Sequence, residues 1–447
     1  MKQYEAYKDS GIQWLGMVPD HWNVVPLKYN LSLKGRIGWN GLKSDEFKEE
    51  SFAYLVTGQD FIKADIDWSK CYQIDKERYE EDPFIQLANG DLLVTKDGTI
   101  GKVAKVSRLD KPACLNSGIF VVKQIKDAFI QDFLYWTFVS SQLIDFNNFN
   151  STGSTIQHLY QNVFENMPLL VPSITEQQAI ASYLDYKVGQ IDAAIAEKEQ
   201  MLEDLKEYRS AIISEAVTKG LDKNVEMKDS GIEWMGRIPM HWKIVKLSRV
   251  YPNIGSGTTP DTNNSQYYSE EGINWLQTGD LNDGDIFETS KHVTELALKE
   301  KGLRIYPKGS LVIAMYGATI GKVGLLQINT TTNQACCVLP PNERMSNIYT
   351  KFILQAAKDV LLKQSVGGGQ PNISQSIIRS LSIPMPPLKE QIKIAEKIQN
   401  TYQYIVKTHN ELLLGINDLK AYKSSIITEA VTGKVDLRDW KPKQVNA

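Results

Sequence analysis

The sequence predicts an α+β fold: two mixed α/β domains, joined by two long antiparallel coiled-coil helices and related by a pseudo-two-fold internal repeat. Two duplicated stretches support this prediction. Leu205–Asp222 returns as Leu419–Asp436, with eleven of eighteen positions identical. Lys8–Trp22 returns as Lys228–Trp242, with ten of fifteen identical. The two copies are separated by 214 residues in the first case and by 220 in the second. These separations differ by only six residues, so one sequence unit occurs twice along the chain.

Composition restricts the class of protein. The chain has 447 residues, 42% of them hydrophobic and 23% charged, which is typical of globular proteins with several domains. The first residues are polar and no run of about eighteen apolar residues occurs, so we expect neither a signal peptide nor a membrane span. Four cysteines without metal-ligand spacing suit a reducing cytoplasm. A net charge of −3 argues against a polycation that coats nucleic acid but permits a local basic groove.

Residues 1–172 are predicted to form the first mixed domain. It opens with a lead segment (residues 1–22), in which Trp14 and Trp22 flank a predicted turn at Val18-Pro19. Short apolar runs separated by Gly, Asn and Asp then predict short strands and loops. These runs are Phe52–Val56, Asp91–Thr95 and Ile119–Val122. One longer amphipathic pattern, Phe129–Phe146, predicts a single helix.

Residues 173–220 are predicted to form one long central helix. Thr175 and Glu176 are typical of a helix start, and no proline follows before Thr218. A helix of about 44 residues is about 65 Å long. Its apolar residues follow a 3-4-3-4 spacing, a stripe narrow enough to indicate a coiled-coil seam. The predicted seam residues of this helix are Val188, Ile191, Ile195, Leu202, Leu205 and Ile212.

The same stripe recurs in a second long helix with a short tail (residues 387–447). Its predicted seam residues are Tyr402, Ile405, Leu412, Ile416, Leu419 and Ile426. Each helix is therefore the natural partner of the other. A short connection separates the end of the first helix from the second lead segment (residues 228–242), so an antiparallel pair lets the second domain (residues 221–386) attach without spanning the helix length.

The second domain keeps short motifs of the first, whereas the stretches between the motifs differ almost completely. The repeated motifs are Thr57–Asp60 and Thr278–Asp280, Asp97–Val103 and Gly317–Val323, and the Gly-rich loops at 151–158 and 365–372. A scaffold is thus conserved between the two halves, while the loops that it carries are not.

The TIGK motif in these repeats is similar to a phosphate-binding loop only in part. It lacks the four-residue spacer and the Ser or Thr after the lysine, which disfavours nucleotide binding. Two interpretations stay open: a tight turn between two strands, or a turn in which Lys102 and Lys322 contact DNA phosphates. The Gly-rich loops are either flexible connectors or segments whose Gln and Asn side chains reach base edges. The candidate DNA-binding residues are Lys96, Thr99, Lys102, Ser154, Thr155, Gln157, His158, Tyr316, Thr319, Lys322, Gly368, Gly369, Gln370 and Asn372.

No catalytic site is evident in the sequence. It contains no adenine-methyltransferase motif (Asn or Asp, Pro, Pro, aromatic), no metal-ligand cluster and no nuclease-like carboxylate–lysine cluster. His21 and His241 stand beside Trp22 and Trp242, which favours a structural, hydrogen-bonded role. His409 lies on the coiled-coil stripe as a polar seam residue. The sequence therefore predicts a non-catalytic chain with no metal or cofactor of its own.

Together these motifs resemble the specificity subunit of type I restriction–modification systems. The resemblance rests on the KDSGI-W-G-P-HW lead segment, the TGD-type turn, the TIGKV motif and the SAII-EAVT-G helix ends. It includes the Glu-Gln pair that opens each long helix, Glu176-Gln177 and Glu390-Gln391. Every motif occurs twice and in the same order, and the resemblance covers the full chain.

The resemblance implies two target-recognition domains that bind double-stranded DNA, each reading one half of a bipartite, asymmetric target. The coiled coil would set the spacer between the halves. Two methyltransferase subunits would dock on the chain and methylate adenine with S-adenosylmethionine. Two restriction subunits would complete a host-defence complex that cleaves DNA and uses ATP and Mg. Divergent domains between constant motifs fit such a subunit, because the half-sites differ while the partner subunits are identical.

Two other classes of function stay open. In a protein-interaction scaffold, the duplicated domains would bind protein, and DNA binding with a steep salt dependence would argue against it. An enzyme with its own methyltransferase or nuclease activity would act on DNA as an isolated chain, which the missing motifs disfavour.

Overall fold

The computed structural model of the chain describes residues 2–36, 42–150, 158–365 and 372–441. The chain divides into two compact units. Unit 1 comprises Met1–Lys198 with Leu414–Ala447, and unit 2 comprises Glu199–Leu413. Each unit holds one mixed domain and part of both long helices. In the part of the chain that the structure describes, no helix is long and apolar enough to cross a membrane.

The mixed domain of unit 1 is built from short strands and helices that lead into the first long helix. Its strands are β1 Tyr7–Asp9, β2 Met17–Pro19, β3 Asn23–Pro26, β4 Leu31–Lys34, β5 Ala53–Val56, β6 Phe61–Ile62, β7 Asp65–Ile66, β8 Tyr72–Ile74, β9 Leu92–Thr95, β10 Val103–Lys105, β11 Ala113–Leu115, β12 Ile119–Gln124 and β13 Pro168–Val171. Its helices are α1 Lys76–Glu80, α2 Gln131–Val139, α3 Ser141–Asn150, α4 Gln161–Phe164 and α5 Ile174–Lys219, the last of which continues into unit 2.

The mixed domain of unit 2 follows the same plan. Its strands are β14 Met227–Asp229, β15 Arg237–Pro239, β16 Lys243–Lys246, β17 Gly255–Ser256, β18 Tyr268–Ser269, β19 Ile273–Leu276, β20 Asp285–Ile286, β21 His292–Val293, β22 Leu311–Ala314, β23 Val323–Leu326, β24 Thr331–Thr332, β25 Cys336–Leu339 and β26 Ser382–Met385. Its helices are α6 Leu247–Val250, α7 Glu295–Lys301, α8 Asn347–Ala356, α9 Lys358–Lys363, α10 Gln375–Ser380 and α11 Leu388–Val431, the last of which continues into unit 1.

The sheets repeat between the units. In unit 1 a central sheet has strand order β10-β9-β12-β4, and in unit 2 the order is β17-β25-β22-β23-β20. The hairpin β9–β10 corresponds to β22–β23, and both are antiparallel. The lead segments form equivalent ladders, with Lys8 opposite Val18 in one and Lys228 opposite Ile238 in the other. The strand after each lead segment pairs with the last strand before the long helix, β3 with β13 in unit 1 and β16 with β26 in unit 2. The predicted internal repeat is therefore confirmed at the level of strand pairing.

The two long helices run antiparallel, as the short connection between them predicted. α5 has 46 residues and α11 has 44. In unit 1, Lys423 Nζ donates to both carboxylate oxygens of Asp192, at 2.7 and 2.9 Å. Further along α5 the Lys198 side chain lies over Gly415. Residue numbers thus rise along α5 as they fall along α11.

The same direction holds in unit 2, where the seam is less apolar. The Arg209 guanidinium lies 4.7 Å from the centre of the Tyr402 ring, so a cation–π contact stands where the apolar stripe is interrupted. Leu205 and Ile405 line a groove of about 260 Å³ beside this pair, together with His409. Across the predicted seam, Val188, Ile191, Ile195, Ile405, Ile416 and Ile426 are buried, Leu202, Leu205, Ile212, Leu412 and Leu419 are half-buried, and Tyr402 is 41% exposed.

In unit 2 the long helices pack against the mixed domain as well as against each other. Ile213 and Val217 of α5 join Ile394 and Ile398 of α11 in one hydrophobic cluster, whose centre includes the fully buried Trp242. A helix that must contact both a partner helix and a domain needs a wider apolar face than a coiled-coil seam. This explains why Ile213, beside the predicted seam residue Ile212, is the more deeply buried of the two.

Two local predictions were wrong. Phe129–Phe146 is not one helix, because α2 ends at Val139 and the next residue, Ser140, has an extended backbone and donates from Oγ to Thr137 O at 2.6 Å. A serine hydroxyl that bonds the preceding turn offers the backbone an alternative to the helix. Val18-Pro19 is not a turn but the end of β2, and the turn follows it, with Trp22 N donating to Pro19 O. Val18 is fully buried in this ladder, which a turn would not have allowed.

Candidate nucleic-acid interface

Each mixed domain is fixed to the start of a long helix by a glutamate, which is buried in unit 1 and half-buried in unit 2. In unit 1, Trp22 Nε1 donates to Glu176 Oε1 at 3.2 Å, and His21 Nε2 lies 2.9 Å from the same oxygen. Burial alone raises the pKa of Glu176, but the hydrogen bonds from His21, Trp22 and Ser173 together outweigh it and hold the pKa below its usual value. The carboxylate is therefore ionised where the lead segment meets α5.

Unit 2 repeats this arrangement. Trp242 Nε1 donates to Glu390 Oε1 at 3.1 Å, and His241 Nε2 lies 2.9 Å from Glu390 Oε2. The structural, hydrogen-bonded role predicted for His21 and His241 is confirmed. These contacts explain why the histidine, the tryptophan and the glutamate recur together in the sequence.

The glutamine that follows each glutamate binds the domain from the other side. Gln177 accepts from Ile130 N at 2.8 Å and donates to two backbone carbonyls of unit 1. Gln391 likewise accepts from Ser346 N at 2.9 Å. Both glutamine side chains are fully buried, so their hydrogen bonds fix the orientation of the domain on its helix.

The first candidate DNA-contacting surface is the turn between β9 and β10. Thr95 closes this turn, because its N–H donates to Lys102 O and its Oγ1 accepts from Lys102 N at 2.9 Å. Gly98 and Gly101 have φ of 68° and 82°, a conformation that side-chain-bearing residues rarely adopt. Thr99 and Lys102 are consequently exposed at the tip. The motif is therefore a tight turn between two strands, and a contact of Lys102 with DNA phosphates stays a prediction.

The second candidate surface is the equivalent turn between β22 and β23. Ala314 N donates to Lys322 O, and Gly321 N donates to Ala314 O, the same pattern as in unit 1. Thr319 Oγ1 donates to Thr278 O at 2.7 Å, which joins the TIGK turn to the TGD motif. Two motifs that are far apart in the sequence therefore form one surface in unit 2.

The TGD-type motifs are themselves closed by an aspartate. Asp60 Oδ2 accepts from Thr57 N at 2.7 Å, and Asp280 Oδ2 accepts from Gln277 N at 2.8 Å. Burial raises the pKa of Asp60, although the hydrogen bonds from Thr57 act in the opposite sense. The aspartate is repeated because it holds the turn, and it is not a free acid available for chemistry.

The end of the Gly-rich loop in unit 1 lies against the β9–β10 turn. Leu159 N donates to Lys96 O at 3.1 Å. The preceding residue, His158, contacts the Asp97 carboxylate through Nδ1 and the Tyr160 ring at 4.6 Å between ring centres. The structure thus places His158 beside the turn that carries Lys96, with its ring against the Asp97 carboxylate. Asp97 was not predicted, because the candidate residues included no acids.

Unit 2 has the same geometry with different side chains. Ile373 N donates to Met315 O at 2.8 Å, which holds Asn372 beside the turn that carries Tyr316. Asn372 therefore stands where His158 stands in unit 1, and Tyr316 stands where Asp97 stands. The scaffold is shared, while the side chains that it presents differ.

The predicted lysines are available for anions. Lys96 Nζ lies 4.9 Å from the centre of the Phe120 ring, and Lys102 and Lys322 are exposed and half-buried, respectively. Within the described ranges none of these three lysines forms an ion pair. A cation without a carboxylate partner at the tip of a hairpin is suited to a phosphate. The other candidates, Ser154, Thr155, Gln157, Gly368, Gly369 and Gln370, lie outside the described residues.

The described part of the chain shows no metal-binding cluster and no disulfide. Among those residues no group of three or more His, Cys, Asp or Glu side chains is placed to hold a metal ion. All four cysteines are buried and free. Burial raises the pKa of the Cys114 thiol to about 11, which keeps it protonated and unreactive at neutral pH.

The chain is similar to known specificity subunits of type I restriction enzymes. A family model described as the type I restriction modification DNA specificity domain matches residues 42–204 and 239–417. The chain is similar to the type I restriction enzyme EcoBI specificity subunit of Escherichia coli, with 24% identity over 377 residues, 78% of this chain and 74% of that protein. It is also similar to the MjaVIII specificity subunit of Methanocaldococcus jannaschii, with 24% identity over 445 residues, 94% of this chain and 95% of that protein.

Solved structures share the fold. A chain from a study of complex assembly and conformational transition of the type I R-M system matches with a TM-score of 0.72 at 15% identity, over 94% of this chain and 99% of that one. The HsdS subunit from Thermoanaerobacter tengcongensis matches with a TM-score of 0.54 at 15% identity, over 94% of this chain and 98% of that one.

Proposed function

Because the chain belongs to the family of type I restriction–modification DNA specificity proteins, we propose that it reads a bipartite, asymmetric DNA target, one half with each mixed domain. The observation that carries this proposal is the duplicated hairpin surface. The β9–β10 and β22–β23 turns have the same backbone hydrogen bonds but present different neighbours, His158 with Asp97 in one and Asn372 with Tyr316 in the other. Two surfaces of equal construction and unequal chemistry suit two half-sites of unequal sequence.

Within each surface, the residues shared by the two units and those that differ are assigned different roles. Lys102 and Lys322 are common to both hairpins, so we assign them to the phosphate backbone, which is the same in every sequence. Base edges are read by side chains that differ between the units. Asn372 can pair with adenine through its amide, whereas His158 offers a ring nitrogen to a different base edge.

The repeated anchors have a second role in this proposal. The lead segments and the helix ends are similar in the two halves, and both halves form the same internal contacts, such as Trp22 to Glu176 and Trp242 to Glu390. Two similar surfaces suit two copies of one partner, so two methyltransferase subunits would dock on the chain, one for each repeat. Two restriction subunits would complete the cytoplasmic complex.

The chain itself contributes recognition and no catalysis. Methyl transfer would draw on S-adenosylmethionine, and cleavage on ATP and Mg, all held by the partner subunits. The antiparallel helices would set the spacer between the two half-sites, because a coiled coil is stiff along its axis and its length is fixed by the residues that it contains.

DNA selection tests the proposal. The complex of this chain with its methyltransferase subunit is incubated with random-sequence duplexes, and the bound fraction is sequenced. We expect two short conserved blocks with a fixed gap, bound with a steep salt dependence. A complex that assembles yet selects no sequence and shows no salt dependence would instead support a protein-interaction scaffold. DNA modification by the chain alone would contradict its non-catalytic role.

A further inference from the structure

The two units differ where a long helix ends beside a lead segment: α5 ends beside the lead segment of unit 2, and α11 ends beside that of unit 1. In unit 2 one continuous linker (residues 220–226) joins α5 to β14. Within it Glu226 O accepts from Met240 N at 2.7 Å, just as Ala6 O accepts from Asp20 N in unit 1. The linker of unit 2 therefore takes the place of residues 2–6 in unit 1. Unit 1 has additional chain there, because α11 ends in a separate tail.

This tail of unit 1 (residues 432–441) is packed into the domain. Asp436 N donates to Lys2 O at 2.9 Å, and Val435 and Leu437 on either side of it are buried. The tail then places the Trp440 ring against α5, 5.4 Å from the Tyr183 ring and 5.8 Å from a second tyrosine ring. An aromatic side chain on a segment of turns and bends thus fills the surface beside α5.

Unit 2 has a groove at the corresponding place. The groove has a volume of about 540 Å³ and lies between α5 and α11. Its walls include Lys397, Ile398 and Thr401 of α11, and Lys397 is the counterpart of Tyr183 at the offset of 214 residues. Leu221, the counterpart of Val435, lines the groove and is 45% exposed, whereas Val435 is 7% exposed.

The residues on the α5 side of the groove in unit 2 also have counterparts near Tyr183 in unit 1. Burial raises the pKa of Tyr183, and the neighbouring Tyr422 and Glu429 raise it further, so these groups lie close to Tyr183. Their counterparts at the same offset are Tyr208 and Glu215, and both line the groove of unit 2. The groove is therefore the surface that the tail covers in unit 1, left without a covering segment in unit 2.

We propose that this groove is a docking site for a short non-helical segment of another protein, carrying an aromatic side chain preceded by an acidic residue. The tail of unit 1 shows this chemistry, because Asp439, which precedes Trp440, pairs with Lys2 at 3.1 Å. The charges along the groove agree with it. Three lysines (Lys219, Lys223 and Lys397) and two acids (Glu215 and Asp222) line the groove, and within the described ranges no ion pair occupies the lysines.

An aromatic peptide tests the proposal on the full chain. The probe is a fluorescein-labelled peptide with the sequence of residues 435–441 (VDLRDWK), and binding is followed by fluorescence anisotropy. We expect saturable binding of one peptide per chain, weakened at least tenfold when the tryptophan of the peptide is replaced by alanine. Thr401→Trp fills the groove from a half-buried helix position and should weaken binding at least tenfold. The matched variant Thr401→Ser should bind as the unaltered chain does, and Lys397→Glu should bind several-fold more weakly.

A second variant keeps the test independent of the stability of the groove. Trp440→Ala alters unit 1 and leaves the groove of unit 2 intact, while Val435 and Leu437 still hold the tail in place, so this variant should bind one peptide with unchanged affinity. The absence of saturable binding, binding insensitive to Thr401→Trp, or binding lost in the Trp440→Ala variant would each overturn the proposal. A concentration-dependent dimer that is lost in both Thr401→Trp and Trp440→Ala would show that the occupant is the tail of a second copy, which also overturns it.

Discussion

Lengthening both long helices should lengthen the spacer of the DNA target. The insertion is made in the antiparallel pair at facing positions, after Ala196 in α5 and after Ile416 in α11, close to where Lys198 lies over Gly415. Two insert lengths are compared: four residues, a little more than one helical turn, and seven residues, which keep the 3.5-residue spacing of the seam in phase.

The magnitude follows from helix geometry. Four residues add about 6 Å of rise and leave a rotation of about 40° beyond one full turn. One base pair of DNA adds about 3.4 Å and about 35°, so length favours two additional base pairs and rotation favours one. The seven-residue insert adds about 10.5 Å, equivalent to about three base pairs. The spacer should therefore grow by one or two base pairs in the first variant and by about three in the second.

The spacer is measured by mapping N6-methyladenine after co-expression with the methyltransferase subunit. The matched control is a four-residue insertion after Asn224, in the exposed linker outside the helices, which should leave the spacer unchanged. Circular dichroism verifies that each variant retains its helix content. Methylation at an unaltered spacer in both helix variants would refute the idea that the helices set the distance.

Three further predictions concern the separate parts of the chain. Exchanging residues 24–171 for the corresponding domain of a relative should change one half-site only, read by methylation mapping; a change in both halves would contradict independent reading. Lys102→Ala and Lys322→Ala should each flatten the plot of log affinity against log salt by about 0.9 without altering the selected sequence, whereas Lys2→Ala, outside both hairpins, should not. Arg438 hydrogen bonds lower the pKa of Asp436 to about 2, from an ordinary 3.8. The stability that Asp436 contributes is therefore present above about pH 4 and is lost as the pH falls towards 2, so Asp436→Asn should destabilise the chain in urea at pH 7 and much less at pH 2.5. An equal loss at both pH values would contradict this.

The sequence predicted the parts of the fold that belong to the internal repeat. The long helices, their antiparallel direction and the hairpins at Gly98–Lys102 and Gly317–Lys322 follow from patterns that are local and repeated. The role of His21 and His241 also followed, because each stands next to a tryptophan whose indole N–H needs a partner when it is buried.

The sequence could not predict contacts between residues that are distant along the chain. The break between α2 and α3 depends on one hydroxyl at Ser140 that bonds the preceding turn, which a hydrophobic pattern does not contain. The bond from Thr319 to the Thr278 carbonyl joins segments 41 residues apart. The Asp97–His158 contact joins side chains from two separate motifs. Its counterpart in unit 2 has neither residue type, so comparison of the repeats did not reveal it.

The sequence also did not predict that the segments after α5 and after α11 pack differently. The repeat aligns residues 205–222 with 419–436 as equals, yet Leu221 is largely exposed and Val435 is buried. The reason is connectivity. One end is a continuous linker, and the other is made from an N-terminal segment and a tail that pack together. Similar sequences therefore meet different neighbours in the two units.

The central claim is that this chain gives a methyltransferase its sequence specificity, and methylation mapping tests it most directly. The chain is co-expressed with its methyltransferase subunit in a host free of adenine methylation, and N6-methyladenine is located by single-molecule sequencing. Our account predicts one two-part asymmetric motif with a fixed gap, which disappears when the chain is omitted. A stable complex that methylates no site, or methylation that persists without this chain, would contradict it.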